Sequence, residues 1–157
     1  MTNGALGVKS INWNGRNLKK QSWKILRKKR ASYTLNYLAY SWLERKINIS
    51  KAVKMLEIAY KNNEDDPYIT DSVGWGYYLT GRYTEAEKFM RKAITLMPND
   101  PIVNDHYGDI LWSLNKKIQA KYYWNSVIGF KDTEKDMLEK VKKKLLVGPN
   151  IDNNNSY

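Results

Sequence analysis

The chain has 157 residues, 27% of them charged and 13% aromatic, with a net charge of +11. It has no cysteine and a single histidine, His106, which excludes disulfide frameworks, thiol nucleophiles and thiolate or multi-histidine metal sites. No apolar run approaches the roughly 18 residues of a membrane-spanning helix, and the first thirty residues lack the apolar core of a secretory signal.

The charge is unevenly placed. Residues 1–30 hold nine lysines and arginines and no acid, which leaves 18 basic against 16 acidic residues in the remainder. Residues 1–17 carry glycine and asparagine at short intervals and read as irregular. Residues 18–30 allow a short helix. Residues 1–31 are therefore expected to be a basic arm, flexible or a short helix. Lys19, Lys20, Arg27, Lys28, Lys29 and Arg30 are its candidate anion-binding residues.

From residue 32 the chain becomes periodic. Leu35, Leu38, Ala39 and Trp42 form an i, i+3, i+4, i+7 stripe, and Ser50 reads as the cap of a second helix carrying Ala52, Leu56 and Ala59. Asp66-Pro67 opens the next helix, since an aspartate N-cap followed by proline suits a first turn. Gly81 ends it, and Thr84 with Glu87 reads as a capping box for its partner. Asp100-Pro101 repeats the opening, and Asn115 stands in the turn where Gly81 stood.

Ala52, Ala86 and Ala120 are spaced by 34 residues, as are Ala59, Ala93 and Val127. Self-similarity at that period marks a helical repeat array, in which each unit buries its apolar face against the next. Ala39, Gly74 and Gly108 hold the closest approach of paired helices, with Ala52, Ala86 and Ala120 opposite; Leu56, Met90 and Trp124 fill the space between units. The fold is expected to be all-α: three helix pairs over 32–130 (about 32–66, 67–100 and 101–130), then a capping helix over 131–147. The tail 148–157 is expected to be disordered.

The 67–98 stretch, with Val73, Gly74, Tyr77, Ala86, Met90, Ala93 and Pro98 in register, resembles the tetratricopeptide repeat. The segments at 35–44, 71–78 and 104–112 resemble the C-terminal repeats of long bacterial members of that family. The resemblance implies a non-enzymatic scaffold without a cofactor, which binds a protein or peptide on the concave face lined by the first helix of each pair. Carried onto this sequence, that face comprises Asn36, Tyr40 and Leu43, then Asp71, Trp75 and Tyr78, then Asp105, Asp109 and Trp112. The subgroup that grips a C-terminal carboxylate needs lysine and asparagine at matching places. Here those places hold acids and aromatics, so the expected ligand is instead an extended peptide bearing Lys or Arg, with cation–π contacts to Trp75 and Trp112. His106 is expected to be an interhelix packing residue.

The alternative reading is a nucleic-acid- or anionic-membrane-associated protein that contacts its target through residues 1–30. Other readings of the arm are a solvated extension, a targeting peptide, or a segment folded onto the acidic groove. The open N-terminal face of the first pair suggests dimerisation. The expected location is the cytoplasm by default, or the cell envelope as in longer relatives.

Overall fold

The computed structural model describes residues 5–149, with side chains from residue 16 onward, so the expectation for the tail lies almost wholly outside the described residues. Seven helices follow one another: α1 (Ala5–Glu44), α2 (Ile49–Asn62), α3 (Pro67–Leu79), α4 (Tyr83–Leu96), α5 (Pro101–Ser113), α6 (Lys117–Gly129) and α7 (Lys135–Val147). No strand occurs among the described residues. The helices pair as α1/α2, α3/α4 and α5/α6, each second helix packs on the next first helix, and α7 packs on α6. The first helices also touch along the array, α1 with α3 and α3 with α5, forming one face.

The alanines at the 34-residue period explain why the pairs close. Ala39, Ala52, Ala86 and Ala120 are fully buried, as are Leu56, Met90 and Trp124 across from them. The glycine positions differ in tightness. A Cβ on Gly74 would lie 3.2 Å from the flexible Cε of Met90, whereas one on Gly108 would drive into the indole of Trp124, 2.5 Å from Cδ1 and closer still to Nε1. Leu43, expected on the binding face, is 1% exposed and belongs to the core.

The helix ends follow the local chemistry only in part. Asp66 accepts from the Ile69 amide at 2.9 Å, and Asp100 accepts from Ile102 and Val103, so both aspartate–proline starts are capped as their sequence dictates. Gly81 and Asn115 take positive φ, 78° and 60°, at equivalent turns. Ser50 is not a cap: α2 begins one residue earlier, after Asn48 in the left-handed region. Nor do Thr84 and Glu87 form a capping box. The carboxylate of Glu87 instead accepts from Lys116 at 2.6 Å and Arg91 at 3.0 Å, tying α4 to the turn before α6.

The largest departure is α1. The flexible or short arm expected over 1–31 is, over its described part, continuous with the first helix of the array, so no boundary falls at residue 31. Helix α1 runs for 40 residues, about 60 Å. No proline interrupts it, and a helix already nucleated against α2 propagates by adding one hydrogen bond per residue. Residues 16–31 are exposed throughout, so this half of α1 stands clear of the array.

Candidate functional site

The face formed by α1, α3 and α5 carries a run of rings. The Trp75 indole stacks on the His106 imidazole at 4.0 Å and 11°, and on the Tyr78 ring at 4.8 Å and 19°. Tyr40 tilts toward His106 at 6.4 Å. Three helices thus contribute to one aromatic row, Tyr40 from α1, Trp75 and Tyr78 from α3, and His106 from α5. Spacing explains the arrangement: Trp75 and Tyr78 lie three residues apart on one face of α3, and the next first helix places His106 beside them.

His106 is 5% exposed, and its Nδ1 lies 3.0 Å from Asp71 Oδ1. Burial opposes the imidazolium, but the adjoining Asp71 carboxylate and the nearby Asp105 and Asp109 outweigh it, so the His106 pKa is raised. Burial, followed by the charge of Glu44, moves the Tyr40 hydroxyl well above the ordinary phenol range. Burial and then Asp109 do the same for Tyr78.

The acids expected to receive a basic ligand are already engaged. Asp105 and Asp109 are 2% and 4% exposed. The buried ammonium of Lys144, projecting from α7, lies 2.5 Å from Asp105 Oδ1 and donates to Asp109 Oδ2 at 2.8 Å. Lys140 reaches Asp105 at 3.5 Å, and Trp124 Nε1 donates to Asp109 Oδ1 at 3.2 Å. Burial is the largest influence on Asp109 and pushes its carboxyl above the usual range, against the opposing pull of Lys144. Asp71 is committed to His106. The expected cation–π partner of Trp112 is likewise internal, since Lys117 Nζ stands 5.1 Å from its ring and Gly148 packs against it. The acids that suggested a cationic ligand are therefore joints of the array itself.

These joints share one spacing. Asp71 meets His106, Asp105 meets Lys140 and Asp109 meets Lys144, each 35 residues further on. Each ties one first helix to the next element in its place, and α7 acts as the first helix of a fourth unit. Lys144 was not among the residues singled out from the sequence, although this recurrence of acid and base at 35 residues was the signal that could have found it.

Of the sequence-selected residues, Asn36, Tyr40, Trp75, Tyr78 and Trp112 remain partly exposed. Two of them carry buried polar atoms without a hydrogen-bond partner, Asn36 Oδ1 and Trp75 Nε1. The six candidate arm residues Lys19, Lys20, Arg27, Lys28, Lys29 and Arg30 are exposed on α1, away from this face. No cluster suited to a metal ion occurs among the described residues. None of the described helices is long and apolar enough to cross a membrane.

Residues 72–100 match the family profile described as tetratricopeptide repeat. The fold is similar to the type III secretion translocator chaperone SycD of Yersinia enterocolitica, with TM-score 0.65 and 16% identity over 74% of this chain and 90% of that one. It is similar to the Arabidopsis OM64 TPR domain, with TM-score 0.64 and 17% identity over 76% and 97%. It is also similar to the first TPR of Spaghetti (RPAP3) bound to an HSP90 peptide, with TM-score 0.62 and 13% identity over 73% and 90%. The chain thus carries a tetratricopeptide repeat match over residues 72–100 and shares the fold of these structures.

Among relatives in sequence, the TPR repeat-containing protein PA4667 of Pseudomonas aeruginosa is 35% identical over 85 residues, or 54% of this chain. Protein bimA of Emericella nidulans is 25% identical over 73 residues, or 46%. The matched segments span 14% and 9% of those relatives, so this chain corresponds to only a small part of each.

Proposed function

We propose that this tetratricopeptide array is a non-enzymatic binding module that holds a protein or peptide segment on the face formed by α1, α3 and α5. The contact centres on Tyr40, Trp75 and Tyr78, flanked by Asn36 and Trp112. The aromatic row Tyr40–His106–Trp75–Tyr78 carries the reading. The partly exposed rings of Tyr40, Trp75 and Tyr78 offer rigid apolar area with polar edges, which suits contact surfaces that lose little side-chain entropy on binding.

The internal pairing of Asp71, Asp105 and Asp109 changes the expected ligand. A segment bearing apolar or aromatic side chains fits this face better than a lysine- or arginine-rich one. The spectrum of similar folds is compatible with this class of activity: the Spaghetti domain is described as bound to an HSP90 peptide.

Selection of binders from a random peptide library on the intact chain tests the proposal. The selected peptides should be enriched in apolar and aromatic residues and lose about tenfold or more in affinity on Trp75→Ala, with Tyr40→Phe as a milder, fold-preserving companion. Peptides that bind both variants like the parent would place the binding surface elsewhere.

A further inference from the structure

The exposed half of α1 carries an apolar line that belongs to a packing face. Leu18, Ile25, Ser32 and Ala39 follow one another every seven residues, so they lie along nearly one side of the helix. Ser32 and Ala39 are fully buried where α2 and α3 pack on α1. Leu18 and Ile25, on the same line, are 63% and 56% exposed. Leu26 widens the strip at 55% exposed. Lys29 stands within it, where an aliphatic stem can lie along the apolar surface while the ammonium reaches water. Among the described residues nothing buries this strip.

The rest of the arm states the chemistry of the missing occupant. Residues 16–31 hold eight lysines and arginines and no acid. Arg16, Lys20, Lys24 and Lys28 stand at successive i, i+4 positions, an arrangement of like charges that repels itself unless an anionic partner neutralises it. A second copy of the chain offers no acidic helix: α2, α4, α6 and α7 are each net basic, the acids of α3 and α5 are buried, and exposed acids such as Glu64, Asp65 and Asp132 lie in turns. A flat bilayer pressed against the strip would meet α2 and α3, which stand on the same side of α1. Phosphates of a nucleic acid need the cations but not Leu18, Ile25 and Leu26.

We propose that residues 16–31 of α1 dock an acidic amphipathic helix from a partner protein, laid along the Leu18–Ile25–Leu26 strip as α2 is laid along the following segment. The exposed length, about 24 Å, matches a helix of the size of α2, about 21 Å. The strip supplies the apolar contact, and the flanking lysines and arginines pair with carboxylates along the edges of the incoming helix.

The test uses the intact chain and a fluorescent synthetic helix of about 20 residues, with leucine at the a and d positions and glutamate on both flanks. A scrambled peptide of the same composition, a DNA duplex and phosphatidylserine-containing vesicles serve as comparisons. The ordered peptide should bind at least about tenfold tighter than the scrambled one. The Leu18→Ser/Ile25→Ser double variant should lose about tenfold with an unchanged Tm, since both residues are exposed. Lys20→Gln/Lys24→Gln/Lys28→Gln should weaken binding and flatten its salt dependence. No binding of the ordered peptide, equal binding of the scrambled one, an unaffected double variant, or tighter retention by duplex or vesicles would overturn the proposal.

Discussion

The second and third helix pairs are built to one plan and fastened differently. At the glycine of closest approach, Gly74 faces the flexible end of Met90, while Gly108 faces the rigid indole of Trp124, itself held by Asp109. At the acid of the first helix, Asp71 meets a histidine that stacks into the aromatic row, while Asp105 meets lysines from α7. The periodic small and acidic residues set the architecture. The residue across from each decides whether a junction is adaptable and contributes to the exposed face, or is rigid and closes the end of the array.

Removing the lysine at the rigid junction should have the largest effect. Lys144→Met leaves the buried Asp105 and Asp109 without their ammonium and should cost about 3–5 kcal/mol in denaturant unfolding. Adding Asp109→Asn to it should recover part of that loss. A Lys144→Met protein as stable as the parent would show that the two junctions are equivalent.

The glycines separate next. Gly108→Ala should destabilise by about 1–3 kcal/mol, because the indole it meets cannot turn away without losing its hydrogen bond to Asp109. Gly74→Ala should stay within about 1 kcal/mol of the parent, since the end of Met90 can yield and alanine favours a helix. Equal melting temperatures for the two variants would erase the distinction.

The smallest effect distinguishes the junctions by pH. His106 has a raised pKa in the folded state, so its stabilising contribution is present below its unfolded pKa, near 6.5, and is lost as pH rises through the folded value. Because His106 is the chain's single histidine, Tm should fall as pH rises from its unfolded pKa, near 6.5, through the raised folded value, and Asp71→Asn should remove that dependence. A pH dependence unchanged in Asp71→Asn would assign it to another group.

Much of the fold was legible because repeat packing writes small and large residues at a fixed period: the fully buried Ala52, Ala86 and Ala120 needed only their spacing to be recognised. The aspartate–proline starts were legible because a cap is a local device. The site was read less completely. Spacing along one helix shows which residues share a face, but not which of them the neighbouring helix consumes, and Asp105 and Asp109 are consumed by Lys144 from a helix that the sequence marks only as a cap. The course of α1 escaped for a related reason. Glycine and asparagine in residues 1–17 argue locally for irregular structure, whereas a helix already nucleated downstream extends back to Ala5.

The central claim is that a partner meets the row at Trp75, and indole N–H resonances of the nitrogen-15-labelled chain test it most directly, with a library-selected peptide as titrant. Trp75 Nε1 lacks an acceptor in the free protein, while Trp124 Nε1 donates to Asp109. The Trp75 indole resonance and the Asn36 side-chain amide should shift progressively to saturation while the Trp124 indole resonance stays in place. Saturable binding that leaves the Trp75 and Asn36 signals unmoved would contradict it.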